Sequence, residues 1–176
     1  MVWRRVQAGV QDERARGRAY QPRFHRREVL ASWLGAVLAI TSLGLISGWS
    51  HYPLVVAPFG ASTVLLFGHP RSPLAQPRNI VLGNTLAALV SVVCVGVLGT
   101  APWVMGLAVG GTIALGQALR CLHPPAGAVA LLGVLLAARP GFVLMPVLIG
   151  SVLLTAMAVL FSRLQPSAAP YPEHWL

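Results

Sequence analysis

A chain of 176 residues that is 56% hydrophobic and only 10% charged, with mean hydropathy +0.71, lies outside the usual soluble balance of about 25% charged residues. The net charge of +9 comes from thirteen arginines with no lysine, and eight of them stand in the first 27 residues. This pattern excludes a soluble nucleic-acid binder, which would spread its arginines over a folded face, and points to a bilayer protein with a basic arm. The carboxylates are Asp12, Glu13, Glu28 and Glu173, so none lies between positions 29 and 172.

In chain order, the arm at 1–27 has no apolar stretch like that of a secretory leader and is expected to be a disordered cytoplasmic tail. Residues 29–50 form an apolar run long enough for a helix across a hydrocarbon core of roughly 30 Å. The next segment, 53–68, is shorter. Pro53 and Pro58 resist helix there, so a helix is expected only from Phe59 or Gly60 to Gly68, about 13 Å at 1.5 Å per residue. Runs at 79–100 and 103–119 follow, separated by Pro102. His123-Pro124-Pro125 opens a second short segment, 124–138, with its helix expected from Ala126 or Gly127 to about Ala137. A last long run occupies 142–161, and 166–176 remain as a C-terminal tail.

The chain also repeats itself at an offset of 67. Pro58-Phe59-Gly60-Ala61 falls on Pro125-Ala126-Gly127-Ala128, and Val81-Leu82-Gly83-Asn84 falls on Leu148-Ile149-Gly150-Ser151. Chance similarity among apolar residues is the competing explanation. A real repeat makes the protein two copies of one unit, at about 29–100 and 102–163, as many transporters are built.

Arginine placement separates two topologies. With the arm in the cytoplasm, six spans put Arg71, Arg78, Arg120 and Arg163 inside and only Arg139 outside; four spans with two re-entrant segments send Arg71, Arg78 and Arg120 outside. The positive-inside bias favours six. Three spans per repeat is an odd number, so the expected fold is all-α with two inverted repeats, the middle segment of each a broken helix.

Both short helices would then point their N-termini at the midplane. A helix N-terminus leaves N–H groups unpaired and carries about half a positive charge, which suits a small anion. The expected substrate-binding residues are Pro58, Gly60, Ala61, Ser62 and Thr63 on one side, His123, Pro124, Pro125 and Gly127 on the other, and Asn84 in the helix between. Ser62 and Thr63 are expected in the first turn of their helix. The alternative is that the prolines merely kink packed helices and the glycines allow close contact.

The strings Ala57-Pro-Phe-Gly-Ala-Ser62, Gly68-His-Pro-Arg-Ser-Pro-Leu-Ala-Gln-Pro-Arg-Asn79 and His123-Pro-Pro-Ala-Gly-Ala128 resemble the HPP family of small integral membrane proteins, over roughly residues 28–165. The family is described as having four transmembrane helices, where the count above gives six. Its cyanobacterial and chloroplast members are implicated in nitrite transport, so the resemblance implies transport of a small inorganic anion such as nitrite. Some bacterial members add a nucleotide-sensing CBS region, for which this chain is too short.

Among the remaining residues, His123 is the candidate for ligand contact or proton coupling, with a structural bond to a carbonyl freed by the prolines as its equal alternative. His51 and His69 are expected to be solvated. Arg71, Arg78 and Asn79 either gather anions at a cytoplasmic mouth or follow the positive-inside bias. Gly106, Gly110, Gly111 and Gly116 suggest close helix packing, and Trp33, Trp49, Tyr52 and Trp103 interfacial anchoring. No metal or cofactor is expected, since no histidines share ligand spacing. Catalysis is not expected either, because Ser62 has no base linked to it by motif and the membrane region has no aspartate. Cys94 and Cys121 read as small buried thiols. The expected setting is the plasma (inner) membrane, multi-pass, with a cytoplasmic N-terminus. Expected partners are a small anion, lipids and, left open, further copies of the chain, with no nucleic acid. A non-transporting sensor or scaffold and an anion channel are the alternatives.

Overall fold

The computed structural model describes residues 2–20, 23–50 and 57–175. His51, Tyr52 and Pro53 lie outside the described residues, as does the environment of Trp49. The described residues are helical throughout the membrane region. Helix α1 is Val2–Tyr20 and α2 is Arg26–Ser50. Helix α3, Ala57–Thr63, runs on as a π-helical stretch, Val64–Gly68. Then come α4 (Pro77–Leu98), α5 (Pro102–Ala118), α6 (Pro124–Leu135) and α7 (Ile149–Leu164). A π-helical turn, Val143–Leu148, precedes α7 and leaves helical geometry at Met145 (φ −127°, ψ 120°), the residue before Pro146. The helices α2 and α4, and α7 with its π turn, are long and apolar enough to cross a membrane.

Every apolar run found in the sequence became a helix, but the starts of the short ones moved. Pro58 is in the first turn of α3, and Pro124 and Pro125 are the first two residues of α6. Proline fits there because the N–H it lacks would have no partner in a first turn. The helices therefore begin two or three residues earlier than expected, and Ser62 and Thr63 lie in the second turn of α3, not the first. The basic arm lies outside the core. It forms a helix whose described side chains are exposed, with Glu13 and Arg16 paired at 2.9 Å one turn apart.

Two clusters fill the core. Leu43, Phe59, Leu66, Ile80 and Leu154 join α2, α3, α4 and α7, while Ala87, Val104, Ala108, Val129 and Val134 join α4, α5 and α6. Helices α4 and α6 run parallel and touch closely. Asn79 meets Leu122, Gly83 meets His123, and a Cβ placed on Gly133 would collide with the Ser91 side chain. Only part of the glycine stripe on α5 does the same: Gly111 faces Val90 and Gly116 faces Leu122, while Gly106 and Gly110 face open space. Trp33 and Trp103 stand on the outer surface.

The ends of the bundle are set by contacts outside the helices. Glu28 at the start of α2, His69–Arg71, and Ser162 with Tyr171 beyond α7 line one cleft. Tyr171 Oη donates to Ala75 O at 2.9 Å, and Arg71 pairs with Glu173 at 3.8 Å. The start of α2, the 69–79 loop and the end of α7 thus share one end of the molecule.

Gly83 is the tightest point that positions this loop system. A Cβ there would stand 2.6 Å from Cys121 O and 2.9 Å from His123 Cβ. Gly83→Ala is expected to destabilise by about 1–3 kcal/mol through overpacking. Gly60→Ala, where a Cβ meets nothing within 4 Å, should be neutral or stabilising by up to about 1 kcal/mol from helix propensity. Thermal melting of both detergent-purified variants, followed by size-exclusion chromatography, tests the contrast; equal melting temperatures would remove Gly83 as a packing contact.

Candidate functional site

Non-helical backbone inside a membrane protein must find partners within the protein. The loops at 69–76 and 119–123 carry Pro70 and Pro73, and Pro77, Pro124 and Pro125 open the helices that follow, each removing a donor. Side chains supply what the backbone lacks. Gln76, fully buried, donates through Nε2 to Pro70 O and Ser72 O at 3.0 and 2.9 Å. Its Oε1 accepts from Glu173 N at 3.0 Å. Arg78 Nη2 donates to Leu119 O at 3.0 Å and Asn79 Nδ2 to Leu122 O at 2.8 Å, tying the two loops together.

His123 completes the set. It caps the start of α6, is 2% exposed, and its Nδ1 bonds to Leu74 O at 2.9 Å. Its Nε2 lies 2.8 Å from the Oγ of Ser62, which is fully buried on α3. A base therefore does reach Ser62, across 61 residues of sequence, where no motif linked the two. Gly83 makes the approach of this segment to α4 sterically free. On its other side His123 borders a cleft of about 370 Å³, lined also by Gly83, Thr112, Pro124 and Gly127.

The expected site residues divide accordingly. Ser62 and His123 come together, with Pro125 buried beside them and Pro124 and Gly127 at the cleft. Thr63 is buried but bonds within its own helix, Oγ1 to Phe59 O at 2.7 Å. Pro58 is buried, while Gly60 and Ala61 are exposed. Asn84 is fully buried and donates through Nδ2 to Ser151 Oγ at 3.1 Å. At the expected mouth only Arg71 is exposed and directed at the open cleft; Arg78 and Asn79 hold carbonyls of the neighbouring loop. His69 is exposed, as expected.

One physical premise needs correction. The start of α6 offers an anion few free N–H groups: its first two residues are prolines, and Ala126 N donates to His123 O at 2.9 Å. The polar group at that end is the His123 side chain. Sequence reasoning also missed Gln76, Tyr171 and the Leu74 carbonyl; the only signal was that Gln76 belongs to the proline-rich string.

Tyr171, 5% exposed, makes the C-terminal segment part of the packed unit. Tyr171→Phe should cost about 1 kcal/mol, a fall of about 2–4 °C in melting temperature, by leaving Ala75 O unpaired. An unchanged melting temperature would mean the tail does not hold the loop.

Comparison with known proteins places the chain among transmembrane proteins. The family model for the HPP transmembrane region matches residues 21–172. Two proteins of Dictyostelium discoideum, each described as a transmembrane protein, are 34% and 38% identical over 84% of this chain. The alignments cover 56% and 51% of those proteins, so the chain spans about half their length. No solved structure matches.

Proposed function

The chain belongs to the HPP family of transmembrane proteins, and on that footing we propose that it transports a small inorganic anion, nitrite first among the candidates, past His123. The observation that carries this is the buried Ser62–His123 bond, which joins two short helices beside a cleft in a region without carboxylates. Buried polar groups in a membrane protein are costly and mark solute pathways. With 12 residues, α6 is only about 18 Å long, shorter than a hydrocarbon core of roughly 30 Å. The same pair has the form of an activated hydroxyl, but Ser62 is fully buried, with no surface for a reacting substrate to meet it.

The contacts at one end of the bundle favour six passages. A re-entrant 57–68 segment would return the chain to the far end of α2, whereas His69–Arg71 lie with Glu28 at its start. Arg71, Arg78, Arg120 and Arg163 then share the side of the basic arm, which fits a cytoplasmic N-terminus in the plasma membrane. The Asn84–Ser151 bond supports the inverted repeat. These residues are 67 apart, the offset of the repeat itself, and equivalent residues touch where a two-fold axis passes between them.

Two experiments test this. In a background with Cys94→Ser and Cys121→Ala, His69→Cys should label from the cytoplasm and Thr100→Cys from outside; labelling of His69→Cys from outside in intact cells would restore the re-entrant topology. Purified protein in liposomes should take up nitrite above the rate of protein-free liposomes. Absence of uptake under all gradients would leave a sensor or scaffold.

A further inference from the structure

The two partners of His123 dictate where its hydrogen sits. Leu74 O can only accept, so Nδ1 carries the hydrogen. In the neutral ring Nε2 is the acceptor, and the Ser62 hydroxyl donates to it. Both hydrogens are engaged, and the neutral pair has no donor to offer an anion. Adding one proton at Nε2 reverses the bond. Nε2–H then donates to Ser62 Oγ, the hydroxyl hydrogen is released, and the ring gains one positive charge. No covalent bond other than the new N–H forms or breaks.

That positive charge has no counterpart in the surrounding protein. Helix α3 and its π-helical extension carry no titratable group, and neither does α5. The near part of α4 contributes Arg78, already a cation, and the 119–122 loop contributes Arg120 and the thiol Cys121. The 69–76 loop holds His69 and Arg71, both exposed, and the carboxylate nearest to that loop, Glu173, is drawn to Arg71. An uncompensated charge with 2% exposure is strongly disfavoured. The cleft of about 370 Å³ reaches His123 and has room for an ion of a few atoms.

We propose, building on anion transport as the function, that the anion and a proton bind together at His123, where it borders the cleft, and cross as a neutral couple. The proton supplies the charge that the anion needs. The anion supplies the counter-charge that the proton needs. Each therefore raises the affinity for the other by the same factor.

The test uses the full chain in liposomes with an internal pH dye and the membrane voltage clamped by potassium and valinomycin. Nitrite and nitrate are both supplied; nitrate does not cross as its own free acid, and protein-free liposomes give the nitrous-acid leak. Entry of either anion should acidify the lumen by one proton per anion and be indifferent to a voltage step of either sign. The apparent affinity for nitrate or nitrite should rise about tenfold for each unit fall in external pH, the signature of one proton bound per anion. His123→Gln and Ser62→Ala should lose the acidification. Entry that follows voltage without acidification overturns co-binding and leaves anion transport standing. No protein-dependent entry of either anion at any pH or voltage overturns both. Should a variant fail to fold, the stoichiometry and voltage response of the unmodified protein decide alone.

Discussion

Surplus carbonyls are the constraint around which this molecule is built. Its proline-rich loops at one end of the bundle lack backbone donors for their own buried carbonyls. Five side chains answer by donating to six loop carbonyls: Gln76 to two, and Arg78, Asn79, His123 and Tyr171 to one each. A buried carbonyl left unpaired costs about 1–3 kcal/mol, so together these bonds weigh heavily against a marginal total stability. They explain why residues with anion-binding chemistry, an arginine and an asparagine at a membrane mouth, face backbone instead.

The same bonds transmit order. The C-terminal segment holds the 69–79 loop through Tyr171 and Glu173. That loop orients His123 through Leu74 O, and His123 meets α3 through Ser62. Fixing Nδ1 as the protonated nitrogen is a consequence of loop packing, because a carbonyl accepts only. The chemistry of the buried pair is thus decided 49 residues away in sequence, and no local motif around either partner contains it.

Legibility followed physical range. Apolar runs are local and long, so each became a helix, while the bond between Asn84 and Ser151, 67 residues apart, exists only in the packed bundle. Helix starts were misjudged because proline was read as a breaker when it occupies first turns, where it is tolerated. That shift of two or three residues altered the meaning of Ser62 and Thr63, and prolines at the start of α6 weakened the N–H argument. His123 was singled out for its titration and its position, but its link to Ser62 depends on tertiary contact and left no trace in spacing. Gly83 was noticed only as a repeat marker; its role, a close passage of Cys121 O, exists only once α4 and α6 are packed.

Among the described residues, two buried side-chain atoms have no partner: Arg78 Nε and Asn84 Oδ1. Both belong to α4, one near its start and the other next to Gly83, on the helix that His123 is packed against. Each side chain still makes one bond, Arg78 to Leu119 O and Asn84 to Ser151 Oγ, so an apolar replacement would strand the partner. An arginine and an amide thus stand together in the first half of α4. Without an anion, a charge on His123 would stand uncompensated at 2% exposure, so the ring stays neutral and its bond to Ser62 stays closed. Resistance to an unaccompanied proton thus follows from burial alone, with no carboxylate needed to hold the balance.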